Sequence, residues 1–234
     1  GGPYSDDNIW VFDDTHSEAF KASQGIARSS WWDAGNGAPG GKNGWYPPTQ
    51  SIVDAFEPGD LRAGFSIYKT GDTYYVWGDG KTQSLPYDPE WSSTGYTIKK
   101  YDGEHNSVGA NHSPNEQSDW NNERWFRFSE LKLLYAEALI EGGGDLTIAK
   151  QQIDDIRVRA GLPILDASVN LTQAMRQEKR VELAFEPHRW FDIVRWGLGP
   201  QIFGASWNDK LNLFPFPLSE IDRSNGLLKQ NPGY

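Results

Sequence analysis

FSELKLLYAEALIEGGGDLTIAKQQIDDIRVRAGLP, residues 128–163, carries two helical patterns of apolar residues separated by three glycines. Phe128, Leu131, Leu134, Tyr135, Ala138 and Leu139 recur at intervals of three and four, which lines them along one face of a helix. Gly142-Gly143-Gly144 stops that helix, because glycine is costly inside a helix and readily takes the left-handed conformation that closes one. Asp145 then stands as the N-cap of a second helix, in which Ile148, Ala149, Ile153, Ile156 and Arg157 lead to Gly161-Leu162-Pro163. So short a linker makes the two helices an antiparallel pair.

The lengths of the pair and its small residues Ala136, Ala138 and Ala149 resemble one tetratricopeptide-type unit. A single unit of that kind cannot bury both of its faces, so something else must cover it. Downstream, Thr172 opens a third helix with Met175, Val181, Leu183, Ala184 and Phe185, and Pro187 leads into Arg189 to Trp196. Leu213-Phe214-Pro215-Phe216-Pro217 is extended and turns helical at Ser219-Glu220-Ile221-Asp222. Upstream the texture changes. Thr49 caps a helix from Gln50 to Phe56, which Pro58-Gly59 ends. Gly64-Phe65-Ser66-Ile67-Tyr68 and Thr73-Tyr74-Tyr75-Val76-Trp77 are β-prone runs around Thr70-Gly71-Asp72, which predicts a hairpin. Tyr96 to Tyr101 alternates like a third strand, Ile9-Trp10-Val11-Phe12 suits a short buried strand, and Gly78–Thr94 and Gly103–Asn122 are polar loops. The expected fold is therefore mixed and predominantly α: a tetratricopeptide-like helix pair plus a loop-rich region with short β-strands. Residues 1–123 form the loop- and strand-containing, ligand-presenting region and 124–234 the helical region, together one structural unit.

Of 234 residues, 37% are hydrophobic, enough for a packed core. Thirty-two acids against 22 bases leave a net charge of −10, which repels a phosphate backbone and argues against nucleic acid as a partner. With no cysteine there is no disulfide framework, thiolate zinc site or thiol nucleophile. No run of apolar residues is long enough for a membrane-spanning helix. The start at Gly1-Gly2-Pro3 rather than Met fits a truncated or processed product whose targeting signal or lipid-anchor cysteine lay further upstream.

Several segments occur together in an order that resembles the SusD/RagB family: Leu133-Leu134-Tyr135-Ala136-Glu137-Ala138-Leu139, Ile156-Arg157-Val158-Arg159-Ala160-Gly161-Leu162-Pro163, Glu178-Lys179-Arg180-Val181-Glu182-Leu183-Ala184-Phe185-Glu186 and His188-Arg189-Trp190-Phe191-Asp192. Leu213 to Pro217, Glu220-Ile221 and the terminal Gln230-Asn231-Pro232-Gly233-Tyr234 resemble its C-terminal signature, and Thr49-Gln50 to Asp60-Leu61-Arg62 resembles an upstream segment. The resemblance implies a non-catalytic, oligosaccharide-binding lipoprotein of Bacteroidota, held on the cell outer membrane and exposed at the surface by a lipid on a cysteine N-terminal to Gly1. It further implies partnership with a SusC-like TonB-dependent transporter. Family members are about twice this length, so the chain reads as the C-terminal part of a longer protein, and the missing N-terminal half is a further partner.

Eleven Trp and ten Tyr are more than core packing readily absorbs. A sugar ring stacks its C–H face on an aromatic plane and offers its hydroxyls to flanking amides, carboxylates and cations. Trp31-Trp32-Asp33 and Lys42-Asn43-Gly44-Trp45 supply both kinds of group within one Gly-rich loop, a setting disproportionately used for function. Adjacent Trp31 and Trp32 cannot both face inward on an extended segment. The glycan-binding candidates are thus Trp31, Trp32, Asp33, Lys42 and Asn43, with Trp77 and Trp91 extending the platform. Glu178, Arg180, Glu182, Glu186, His188, Arg189 and Asp192 have the look of a catalytic cluster, yet acids and bases at such spacing form structural ion pairs. His16, His105, His112 and His188 make no zinc pattern. Asp79, Asp88, Glu104, Glu116 and Asp119 include calcium-type donors without the spacing of a calcium loop and read as solvated loop acids, so no cofactor is expected, a structural calcium being the alternative. Two other classes stay open: a glycoside hydrolase fragment in which Asp33 and Glu90 do acid/base work, and a docking module whose interface is the helix pair and which binds no sugar.

Overall fold

The computed structural model describes residues 10–11, 20–21, 47–78, 81–100, 126–186 and 188–234. They divide into two compact units: one holds the described residues from 47 to 186, the other residues 10–11, 20–21 and 188–234. The change of texture at 123/124 falls inside the larger unit.

In the larger unit, helix α1 (Gln50–Ala55) begins as expected at Thr49, whose hydroxyl accepts from the Ile52 N–H at 3.3 Å. Helix α2 (Leu61–Ser66) begins at Asp60, whose carboxylate accepts from the Arg62 N–H at 2.9 Å. This helix overturns the expected hairpin. Because 61–66 are helical, only Ile67–Tyr68 remain as strand β3, and they pair not with the next run but with β6 (Thr97–Ile98). The turn at Thr70-Gly71-Asp72 exists, with Gly71 at φ +97°, but it joins β3 to β4 without pairing them. Strand β4 (Thr73–Gly78) instead pairs antiparallel with β5 (Lys81–Pro86), inside the segment expected to be loop, because these two runs offer a ladder six residues long.

Alternation along β3 feeds two cores. Ile67 joins Ile52 and Phe56 of α1, Ile98 of β6, and Val181, Ala184 and Phe185. Tyr68 joins Tyr74 and Tyr87 in a second, aromatic cluster against which Leu85 and Trp91 pack.

Helices α3 (Phe128–Glu141), α4 (Leu146–Arg159) and α5 (Leu171–Glu182) pack on one another, and α1 packs on α5. The expected antiparallel pair is α3 and α4, and Asp145 caps α4 by accepting from the N–H groups of Thr147 and Ile148. The cap of α5 is Asn170 rather than Thr172, so the helix starts at Leu171. The inward face of α3 also differs from expectation: Leu133 and Ala136 are fully buried, while Phe128, Leu131, Tyr135 and Ala138 face solvent. Ala136 is fully buried on α3, as are Ala149 and Ile153 with nearly buried Ile156 on α4, the helix it packs against. Gly161 closes α4 at φ +81°, a conformation that favours glycine, and a Cβ there would stand 3.0 Å from the Leu61 side chain, which would have to shift slightly.

The smaller unit contains β1 (Trp10–Val11) paired with β2 (Phe20–Lys21), helices α6 (Arg189–Arg195), α7 (Gly199–Phe203) and α8 (Leu218–Arg223), and short 3-10 turns. Buried Trp190 lies 6.2 Å from Phe203 and 5.8 Å from Trp207, ring to ring. The extended segment around Pro215 and Pro217 has no strand partner, so side chains of the chain terminus take that role. Asn231 Nδ2 donates to the Phe214 carbonyl (2.6 Å), Gln230 exchanges two bonds with the Phe216 backbone, and the Tyr234 hydroxyl donates to the carbonyls of Leu213 and Lys210.

Replacing Leu133, which is fully buried between α3 and its neighbours, by Ala should lower unfolding stability by about 2–5 kcal/mol in urea titration; a loss below about 1 kcal/mol would contradict this packing.

Candidate functional site

The acids of α5 that resemble catalytic machinery are a lattice of buried ion pairs. Glu178 and Glu182 lie one turn apart on α5, and Glu186 follows just beyond its end, so the three recur at intervals of four. Their side chains are at most 2% exposed. Arg62 grips Asp60 with Nε and Nη2 (2.9 and 2.7 Å) and donates through Nη1 to Glu178 (2.5 Å) and Glu182 (3.0 Å). Arg127 donates to Glu182 (2.6 Å) and to both oxygens of Glu186, and its Nη2 reaches the Glu182 carbonyl. Arg159 adds a third cation to Glu182 at 2.5 Å. Arg157 forks onto Glu57 and reaches Glu178 at 3.4 Å. Lys100 Nζ binds Glu186 (2.6 Å) and the carbonyls of Glu182 and Ala184, which places a cation at the negative end of α5.

Burial pushes the Glu182 carboxyl up, but Arg127 and Arg159 outweigh it and hold the pKa down at about 2. Glu186 is likewise lowered, burial being outweighed by Lys100 and Arg127. At Glu178 burial wins over Arg62 and Arg157, and the pKa is raised. These oxygens are enclosed and claimed by fixed donors, so the arrangement holds elements together and leaves no carboxyl facing a substrate. Phe185, between Ala184 and Glu186, sits at φ +64°, a conformation costly for a bulky residue. Its ring is buried in the first core, and the turn it makes delivers Glu186 to Lys100 and Arg127. Asp192 is ion-paired to Arg195 of the same helix.

Of the glycan-binding candidates, Trp31, Trp32, Asp33, Lys42 and Asn43 lie outside the described residues. Trp77 is on β4, paired with Thr82 in the ladder. Trp91 ends a 3-10 turn, Pro89–Trp91, that Asp88 caps by accepting from the Glu90 N–H. It is partly buried, with ring contacts at 5.1 Å to Tyr74 and 5.7 Å to Tyr87, both edge-to-face. Tyr87 stacks on Tyr68 at 5.6 Å and exchanges a hydrogen bond with Thr97 (2.8 Å); burial drives its pKa up to about 12, so it stays a neutral phenol. Trp91 is therefore a rim of an aromatic cluster whose centre is tyrosine. That cluster is not visible in the sequence, because Tyr68, Tyr74 and Tyr87 come from three segments that the β4–β5 ladder, the β3–β6 pairing and the Tyr87–Thr97 hydrogen bond bring together. Lys99 lies 5.0 Å over the Tyr68 ring. Among the described residues no group of three His, Cys, Asp or Glu side chains could hold a metal; Asp79, Glu104, Glu116 and Asp119 fall outside them.

The chain thus combines a helical, tetratricopeptide-like scaffold tied by a buried acid–arginine lattice with aromatics gathered on short strands and turns. The SusD family model matches residues 8–212, and the chain belongs to that family. SusD family proteins bind carbohydrate and are not catalysts. The chain is 34% identical over 126 residues to the SusD-like protein P2 of Formosa agariphila, a match covering 46% of this chain and 25% of that protein. It is 32% identical over 120 residues to the starch-binding protein SusD of Bacteroides thetaiotaomicron, covering 47% and 21%. Among solved structures it is similar to a SusD-like protein from Bacteroides fragilis (TM-score 0.66, 28% identity, 82% of this chain and 48% of that one). It is similar also to surface glycan-binding protein A from Bacteroides fluxus (TM-score 0.64, 27% identity, 96% and 50%). Matches thus span about a quarter of the curated relatives' length and about half of the solved ones.

Two outcomes follow from the lattice. Glu182→Gln leaves three cations around a neutral amide and should cost about 3–5 kcal/mol at neutral pH, read by denaturant titration. Because the folded pKa of Glu182 is depressed, the stability it contributes is complete above pH 4.5, its ordinary value, and disappears as pH falls through about 2. The gap between the parent protein and Glu182→Gln should therefore narrow across that window; a gap that stays constant to pH 2 would refute the assignment.

Proposed function

We propose that this chain is the C-terminal part of a non-catalytic surface protein that captures oligosaccharides and delivers them to a SusC-like TonB-dependent transporter in the outer membrane. The observation that carries this reading is family membership over residues 8–212, together with similarity to solved proteins described as glycan-binding. A further similar structure, 27% identical with a TM-score of 0.59, is a laminarin-binding SusD-like protein, of which the match covers 39%. The locations proposed with it are the cell surface and a lipid anchor on a cysteine upstream of Gly1.

In this reading Trp31 and Trp32 stack on sugar rings and Asp33, Lys42 and Asn43 bind hydroxyls, while Trp77 and Trp91 extend the platform. Support comes from chemistry: a ring face needs an aromatic plane, and hydroxyls need neighbouring polar groups. Trp91 suits such a role because its tyrosine contacts fix the indole in advance, which reduces the entropy lost on binding.

The test is calorimetry on the complete protein with laminarin- and starch-derived oligosaccharides. Trp31→Ala with Trp32→Ala should weaken binding at least about tenfold, roughly 1.4 kcal/mol, with no reducing sugar released by either protein. Unchanged affinity would remove these residues from the site, and sugar release would overturn the non-catalytic reading.

A further inference from the structure

Asn225 and Gly226 stand in the turn that follows α8, and both lie in the left-handed region, at φ +50° and +81°. Both are exposed, as is the next residue, Leu227. The turn is tied on either side of the pair. The Asn225 N–H donates to the Asp222 carbonyl (3.2 Å), the Leu227 N–H to the Ser224 carbonyl (3.1 Å) and the Leu228 N–H to the Ser224 hydroxyl (2.9 Å). Between these bonds, neither the Asn225 side-chain amide nor the Gly226 N–H has a hydrogen-bond partner among the described residues. A Cβ built on Gly226 would meet nothing within 4 Å, so the space beside its nitrogen is open.

An asparagine so placed can react with its own backbone. Its side-chain carbonyl carbon is an electrophile that closes a five-membered ring with the nitrogen of the following residue, once side chain and peptide rotate into contact. Hydrogen bonds to either group oppose that rotation, and a Cβ on the following residue crowds it; glycine removes the second obstacle. The other asparagines among the described residues are held back. Asn170 and Asn208 are caps, accepting from the N–H groups of Gln173 and Lys210 at 3.0 Å each. Asn212 precedes Leu213, whose N–H is bonded to the Lys210 carbonyl, and Asn231 precedes Pro232, whose nitrogen carries no proton to lose.

We propose that Asn225 is a modification site, at which the chain deamidates through attack by the Gly226 nitrogen. That nitrogen gives up its proton and bonds to Cγ of Asn225, the Cγ–Nδ2 bond breaks, and Nδ2 leaves as ammonia with that proton. Water then opens the resulting succinimide at one of its two carbonyls. Opening at Cγ leaves aspartate; opening at the main-chain carbonyl leaves isoaspartate, whose backbone runs through one extra methylene. Either product adds one negative charge to the present −10. Isoaspartate also lengthens the turn that the two bonds to Ser224 span, just ahead of the Gln230 and Asn231 clasp.

The test is timed incubation of the complete polypeptide at physiological temperature and mildly alkaline pH, followed by tryptic peptide mapping. Cleavage after Arg223 and Lys229 isolates Ser224–Lys229, which holds this asparagine alone and separates it from Asn36-Gly37 and Asn43-Gly44, outside the described residues. The peptide should divide into isoaspartate and aspartate forms. Its conversion in the native protein should run within about tenfold of the rate in guanidinium-unfolded protein, and at least about tenfold faster than at Asn170, Asn208 and Asn212. Aspartate without isoaspartate would mean direct hydrolysis and would overturn the proposal. A native rate further below the unfolded one, or no faster than at the other three, would overturn it equally.

Discussion

A carboxylate withdrawn from water needs fixed donors, and Glu182 is met by three arginines from three separate parts of the chain. Arg62 comes from the start of α2, Arg127 from the residue before α3, and Arg159 from the end of α4. Satisfying that one anion therefore fixes where three helices begin or end relative to α5. The planar guanidinium adds direction to attraction: Arg62 is oriented by its fork on Asp60, which simultaneously caps α2. Glu186 extends the lattice to Lys100, and through it to the strand that completes the first core. An apolar replacement of equal volume could match such a lattice in stability, but not in the uniqueness of its geometry.

The helices were legible where their signals are local. Caps at Thr49 and Asp145, the triple glycine and the spacing of Glu178 and Glu182 each act within a few residues, and each gave the right element or the right kind of role. Two things were not local. Arg62 and Glu178 are 116 positions apart, so the sequence shows that the acids need partners without showing which. The pairing of β3 with β6 depends on α2 having consumed residues 61–66, and the β-prone run Gly64-Phe65-Ser66-Ile67-Tyr68 gives little local sign of helix. The face of α3 was misread for another reason: apolar residues occupy both sides, and periodicity cannot rank two stripes when the buried one is made of Leu133 and a single small Ala136.

The surplus of aromatics, which first suggested a ligand surface, divides into two populations. Tyr68, Tyr74 and Tyr87 form a buried cluster with Trp91 at its margin, and Trp190, Phe203 and Trp207 pack together in the smaller unit. In that unit Gly199 approaches the Trp207 indole so closely that an added Cβ would fall within 2.4 Å of the ring. These residues are scaffold by contact, not by default. The residues proposed for sugar recognition are a smaller set, of which Trp91 is the one whose described contacts, edge-to-face with Tyr74 and Tyr87, hold an indole in a fixed orientation.

The segments that mark the family and the residues proposed to touch a ligand are therefore different residues with different constraints. Glu178, Glu182 and Glu186 answer to the cations around them, Arg62, Arg157, Arg127, Arg159 and Lys100, since neutralising one of these buried acids leaves its cations without their counter-charge. Gln230 and Asn231 answer to the backbone of Phe216 and Phe214, which the intervening prolines leave short of donors. None of these requirements refers to a sugar. Recognition of this chain through its lattice thus carries the architecture with it, and leaves the sugar to be identified from the residues proposed to touch it.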